Sequence, residues 1–428
     1  MKNFVALSLL MLLGFMNAQF DVKAKINGYE SKPVLIKIYE NGSERLVKRI
    51  ETDKNGEFNY RFPMAYTGKI IFELSQGGFE VVSNNAPINL TTNIHDPLRQ
   101  VHYDGGINQE IKDIFDLDEK KSLRDFTLVE LLKLYDHQDT FYKAVKNEIE
   151  RIDGLEAKSI KNEAIQYYVD AKKELSEYNA NKYNAAQIMD KARQHLVMDN
   201  MNLENFGLLQ EFLSTYISYS LSGAQSKEDA EVKIEDALDE LLEQVQPDTS
   251  RGQAILTNII PMLEGNGFET LSAKYLGQAE ALTCEITSDL EALIQGKENI
   301  AVGKVVPDIE FNQKIKNASS LYEVKADQKL LVFWASWCPH CMREIPHLKE
   351  FYSDFKEQGG EIIAISLDIE REAYERAIQG TEWINHSHLM KWQSPEVKTY
   401  GITATPTLIL LDKDNKVIKT GSSISQIM

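Results

Sequence analysis

Residues 334–346 read WASWCPHCMREIP, with Cys338 and Cys341 separated only by Pro339 and His340. Two thiols at this spacing admit three chemistries: a structural staple, half of a zinc site, or a redox pair that opens and closes. A disulfide closing so small a loop removes little chain entropy, so it would add little to a chain of 428 residues. A zinc site usually takes four ligands, commonly as two separated pairs. Here Cys284 is the one other cysteine and lies far off in sequence, with His347, His386 and His388 as further candidates. The redox reading is the best supported, and it expects neither a metal nor a cofactor.

That reading makes demands on its surroundings. The run KLLVFWAS before the pair is almost continuously apolar, as a strand buried on both faces would be. A helix is expected to begin at Cys338, where unpaired backbone N–H groups stabilise a thiolate. Cys338 should then have a lowered pKa, within the range of roughly 3.5 to 7 seen for Cys-X-X-Cys thiols. Cys341, one turn on and on the same side, should be more buried and less readily ionised. One thiol attacks and the other resolves. Pro339 suits the first helical turn, where its missing N–H costs nothing. His340 can add positive charge or a hydrogen bond near Cys338.

The rest of the tail supplies a scaffold. From about Ala301 strands and helices alternate: EIIAISLD follows Gly359-Gly360, and TLILLDKDNKVIKTG gives two more strands around a turn near Asp414-Asn415. Helical patterns fall around Met342 to Phe355 and Glu370 to Ile378. This is an α/β layout with a mixed sheet. Ahead of it, about Asp104 to Asn299 reads as amphipathic helices, with no proline between Pro97 and Pro247. In SKEDAEVKIEDALDELLEQV, Ser226 is placed to cap a helix whose apolar stripe runs through Ile234, Leu238, Leu241, Leu242 and Val245, and Pro247 ends it. Residues 19–103 read as strands, with Asn41-Gly42 and Asn55-Gly56 as hairpin signals and Phe58, Tyr60 and Phe62 alternating with polar residues.

The expected organisation is therefore a multidomain α+β chain. A signal peptide spans 1–18, a small antiparallel β-sandwich-like domain 19–103, an acidic helical domain 104–300, and an α/β domain 301–428. In the first segment Lys2 precedes a short apolar run and Ala18 offers a cleavage site, so export is expected, with an uncleaved anchor as the alternative. The net charge of −18 argues against nucleic acid. Nearly all of it lies on the helical middle, where 20 Lys and Arg face 38 Asp and Glu. A solvated helix surface accounts for this, with a docking face for a basic partner as the alternative.

VVPDIEF, LLVFWASWCPHCMREIP, EIIAISLD and YGITATPTLILLDKDNKVI together resemble thioredoxin-fold proteins, most closely the extracytoplasmic TlpA/ResA-like thiol-disulfide oxidoreductases. The resemblance covers roughly Gly303 to Gly421. It implies a thioredoxin-like fold, with Cys338 as nucleophile and Cys341 as resolving thiol. Pro406 resembles the family's cis-proline, leaving the backbone of Thr405 open to a substrate strand. Trp337 resembles the aromatic that shields the disulfide, and Trp337, Pro339, Thr405 and Pro406 form the implied substrate-binding set. Glu344 matches a carboxylate beneath the cysteines that could carry the proton of Cys341. Pro346 matches a helix-kinking proline. Val332 stands where cytoplasmic thioredoxins carry a buried aspartate, whereas Pro-His between the cysteines is typical of DsbA-type oxidases. SSISQIM is short for the closing helix of the fold.

The resulting expectation is an exported reductase of protein disulfides, served by a membrane thiol donor. A dithiol oxidase served by a membrane oxidant is the alternative direction. A partner-binding protein with a secondary redox centre is the competitor from another class. Cys284 is expected to be a buried helical cysteine. Trp383 and Trp392, which flank NHSH, are expected in the core or along a substrate groove.

Overall fold

The computed structural model describes residues 19–178, 182–198 and 200–427. The expected signal peptide, 1–18, lies outside the described residues. Strands β1 (Phe20–Asn27), β2 (Pro33–Glu40), β3 (Ser43–Glu51), β4 (Glu57–Phe62), β5 (Thr67–Glu73), β6 (Gly78–Asn84), β7 (Ile88–Asn93) and β8 (His102–Tyr103) open the chain. They form two four-stranded sheets, ordered β4-β1-β7-β8 and β3-β2-β5-β6. Asn41-Gly42 makes the expected two-residue hairpin: both have positive φ, and Glu40 pairs with Ser43 across it.

Asn55-Gly56 behaves differently. Asp53 accepts the N–H of Asn55 (2.8 Å) and of Glu57 (2.9 Å), so the turn forms locally. Yet β3 pairs with β2, while β4 pairs antiparallel with β1. Turn chemistry fixed the bend, and apolar partners chose the sheet: Phe62 of β4 stacks on Phe20 of β1 at 4.6 Å. β1 and β7 run parallel, a departure from the expected antiparallel pattern.

The chain divides into two compact units. The first takes residues up to Ser31, Thr52–Ile70 and Phe79–Glu177. It contains helices α1 (Gly106–Arg124), α2 (Thr140–Asp153) and most of α3 (Glu163–Tyr178). The second takes Lys32–Glu51, Ile71–Gly78 and everything from Tyr178. Ahead of the C-terminal domain its longer helices are α4 (Ala185–Val197), α5 (Leu208–Ser220), α6 (Lys227–Val245), α7 (Ser250–Gly265), α8 (Glu269–Glu280) and α9 (Ser288–Asn299). Ser226 caps α6 by accepting the N–H of Asp229 at 3.2 Å, and Ile234, Leu238, Leu241 and Leu242 are buried as their spacing predicts. Cys284 corrects an expectation. It is exposed and lies in the loop between α8 and α9. Thr283, Ile286 and Thr287 around it are poor helix formers, and Thr287 is the N-cap of α9.

The C-terminal domain lies wholly in the second unit. A hairpin of β9 (Glu310–Ile315) and β10 (Ala318–Ser320) precedes a five-stranded sheet. That sheet runs β13 (Ile384–His386), β12 (Gly360–Ser366), β11 (Gln328–Trp334), β14 (Thr407–Asp412), β15 (Val417–Gly421). β11 pairs parallel with β12 and antiparallel with β14, so the sheet is mixed as expected. β12 is buried throughout, as is β11 from Lys329 on. Burial of each large apolar side chain contributes about 1.5–3 kcal/mol, which makes these two strands the axis of the core. The edge strand β13 was not legible as a strand, because it is only three residues long. Helices α10 (Pro339–Glu357), α11 (Arg371–Ala377), α12 (Pro395–Thr399) and α13 (Ile424–Ile427) complete the domain.

Candidate active site

The buried strand β11 ends at Trp334, and α10 begins four residues later with Cys338 as its N-cap and Pro339 in its first turn. The sulfur of Cys338 accepts the N–H of Cys341 at 3.3 Å. It lies 3.4 Å from the carbonyl oxygen of Thr405, to which the thiol donates. The Thr405–Pro406 bond is cis. Residues about sixty-five positions apart in sequence thus meet across the end of the sheet. Both cysteines are free thiols and nearly inaccessible, at 5% exposure for Cys338 and 1% for Cys341.

Their electrostatics diverge. Burial pushes Cys338 up, but hydrogen bonds from the Cys341 thiol, from the Thr405 side chain, and from the backbone N–H groups of Cys341 and His340 outweigh it, and its pKa lies below the ordinary thiol value. Burial, then the neighbouring Cys338 sulfur, pushes Cys341 up to about 12. The pair therefore holds one sulfur ready to ionise and one that keeps its proton.

The remaining predicted residues are placed as follows. Trp337 is half-buried, donates its indole N–H to the Leu367 carbonyl (3.2 Å), and meets Trp392 edge-to-face at 6.2 Å. Trp383 is buried against Tyr352 and belongs to the core. Pro346 lies inside α10 and removes one helical hydrogen bond. The His340 ring is exposed, and its Nδ1 accepts from Arg343 at 2.7 Å. What reaches Cys338 from His340 is its backbone N–H. Glu344 accepts the N–H of Ile424 at 2.6 Å and so ties α13 to α10. Among the described residues it makes no hydrogen bond to either cysteine.

Two residues that sequence reasoning passed over support the site. Asp368, fully buried, accepts from the Ser336 hydroxyl (2.6 Å) and backbone N–H (3.2 Å) and from the Ser366 hydroxyl (2.6 Å). It fastens the loop that carries Trp337 and Cys338 to the end of β12. Lys391, also buried, donates to the Leu74 carbonyl (2.7 Å), pairs with Glu73 (3.1 Å), and sits 5.6 Å from the centre of the Trp337 ring. The apolar SLD context hid Asp368, and nothing local to Lys391 pointed to Glu73. A cavity of about 720 Å³ opens nearby, lined by Trp392, Ile402 and Thr403, with Arg45, Asp289 and Leu293 opposite.

Comparison with known proteins finds relatives of the C-terminal domain. Residues 328–417 match the Thioredoxin-like family. The chain is 31% identical over 123 residues to the thiol-disulfide oxidoreductase ResA of Bacillus thuringiensis subsp. konkukian (strain 97-27), covering 29% of this chain and 70% of that one. It is 33% identical over 129 residues to ResA of Bacillus anthracis, again covering 29% and 70%. Among solved structures, the thioredoxin domain of a thiol-disulfide oxidoreductase from Bacteroides vulgatus aligns at 27% identity, over 30% of this chain and 92% of that one, with a TM-score of 0.27. Among the described residues, no helix is long and apolar enough to cross a membrane.

Proposed function

Through its C-terminal domain the chain belongs to the ResA-type thiol-disulfide oxidoreductases, and from that premise we propose that Cys338 and Cys341 reduce protein disulfides outside the cytoplasm. The observation that carries this reading is the divergence of the two thiols, one lowered and one raised to about 12. The Cys338 thiolate attacks a substrate disulfide. A mixed disulfide forms and one substrate sulfur leaves. Cys341 then gives up its proton, attacks the Cys338 sulfur and releases the second substrate sulfur. The substrate gains two electrons and two protons, and the protein is left with a Cys338–Cys341 disulfide. A thiol donor at the membrane returns the two electrons.

Thr405 and Pro406 border the attacking sulfur, which supports their role in holding a substrate strand, with Trp337 and Pro339 beside them. The cavity lined by Trp392 and Thr403 supports a second contact for the same substrate. The Pro-His dipeptide favours the opposite direction, dithiol oxidation. A strong oxidant, however, stabilises its reduced form by pulling the attacking thiolate to a very low pKa. The His340 ring is turned to Arg343 instead, which supports the reductase.

The test is a pair of variants. Cys341→Ser should accumulate mixed disulfides through Cys338 when mixed with insulin, while Cys338→Ala should trap none. The unsubstituted protein should reduce insulin with turnover, and Cys338→Ala should not. Equal trapping by the two variants would reject the assignment of roles.

A further inference from the structure

The strongest unexplained cluster in the C-terminal domain lies away from the cysteines, in the segment between β13 and α12. His386 ends β13, His388 follows two residues later, and Glu396 lies in α12. Their ligand atoms all lie within 4.8 Å of one another. The His388 Nε2 is 2.7 Å from Glu396 Oε1, and the His386 Nε2 is 3.6 Å from the same oxygen, too long for a hydrogen bond. His386 and Glu396 are 3% and 6% exposed. Each keeps a buried polar atom without a partner: Nε2 of His386 and Oε2 of Glu396.

Leaving buried polar groups unpaired is costly, so their convergence requires an account. The local fold holds them there. Asn312 donates to the Ser387 carbonyl (3.0 Å), and the Ser387 hydroxyl donates to the Ser366 carbonyl (2.9 Å). With Ser387 pinned twice, the two imidazoles flank it and meet at 4.7 Å, nearly perpendicular.

We propose that His386, His388 and Glu396 form a binding site for a divalent transition cation of the zinc type. Two imidazole nitrogens and one carboxylate are a ligand set such ions accept, with an open fourth position. His388, the more exposed of the three at 24% of its side chain, marks the open side. Metal–ligand bonds of about 2.0–2.2 Å put tetrahedral ligand atoms roughly 3.4 Å apart, so on loading the His388–Glu396 hydrogen bond opens while the widest separation in the cluster closes. The cation occupies the space between the unpaired atoms and satisfies both. It also anchors the segment that carries Lys391 and Trp392, the residues packed on Trp337. Sequence reasoning weighed these histidines only as partners for the cysteines, because Glu396 lies eight residues beyond His388 and in another element.

The experiment uses the full chain with Cys338 and Cys341 oxidised to the disulfide and Cys284 alkylated, so that no thiol binds the probe. Cobalt(II) is titrated and its visible absorption followed, with zinc as competitor. The expected result is one saturable equivalent, displaced by zinc. Affinity should fall by about 100-fold or more in His388→Ala, at least the loss that outer-shell changes cause, with far-UV circular dichroism unchanged. Glu396→Gln should weaken it similarly. Imidazole NMR of the unsubstituted protein needs no variant: zinc should shift the ring signals of both His386 and His388. Absence of stoichiometric uptake, or uptake that leaves those signals in place, overturns the proposal.

Discussion

Two sulfurs one helical turn apart differ because one sits on a helix end and the other beneath it. Cys338 accepts the N–H of Cys341 at the start of α10, whereas Cys341 is sealed at 1% exposure. Iodoacetamide should therefore modify Cys338 with a pH midpoint below the ordinary thiol value, and Cys341 should stay protected until the pH approaches about 12. Mass spectrometry of each cysteine peptide across a pH series measures both. Glu344→Ala separates two roles in the same assay. With the carboxylate committed to Ile424, the variant should lose about 1 kcal/mol of stability and leave the Cys341 profile unmoved. A proton shuttle would move it. The cysteines and the Thr405–Pro406 loop were legible in the sequence because their chemistry is carried by adjacent residue types. Asp368 and Lys391 were not, since each acquires its role only from partners that folding brings close, Ser336 in one case and Trp337 in the other.

At the scale of elements, strands β11 and β12 were legible from their unbroken apolar runs, and α6 from its stripe and its Ser226 cap. What escaped was pairing. Asn55-Gly56 announced a turn but could not say that β4 would join β1. The docking of α9 was equally silent. A Cβ on Gly296 would stand 2.6 Å from the Gly401 Cα, so the helix and the chain leading to the Thr405–Pro406 loop approach backbone to backbone. Only glycine permits this. Gly296→Ala should cost about 1–3 kcal/mol by overpacking, despite alanine's better helix propensity, and thermal unfolding measures it. A stabilised variant would mean the contact is not held.

At the scale of the whole chain, folding joins segments more than three hundred residues apart. Lys37, Glu73 and Lys391 form a buried ion cluster within the second unit, with Glu73 2.9 Å from Lys37 and 3.1 Å from Lys391. Burial pushes Glu73 up, but the two lysine charges outweigh it and hold its pKa below the ordinary carboxylate value. A depressed carboxylate contributes stability above its unfolded pKa and loses it as pH falls through the folded one. Glu73→Gln should destabilise the protein by about 1–3 kcal/mol near neutral pH, because it leaves Lys391 with the Leu74 carbonyl alone and Lys37 with Glu44 alone, and the difference should shrink under acid. Denaturant unfolding at several pH values checks both the size and the sign. The claim on which the whole account turns is the direction of electron flow, and the reduction potential of the Cys338/Cys341 pair, equilibrated against glutathione or dithiothreitol, tests it most directly. The account predicts a value near that of thioredoxin, about −270 mV. A value near about −120 mV would contradict it and make the protein a disulfide donor.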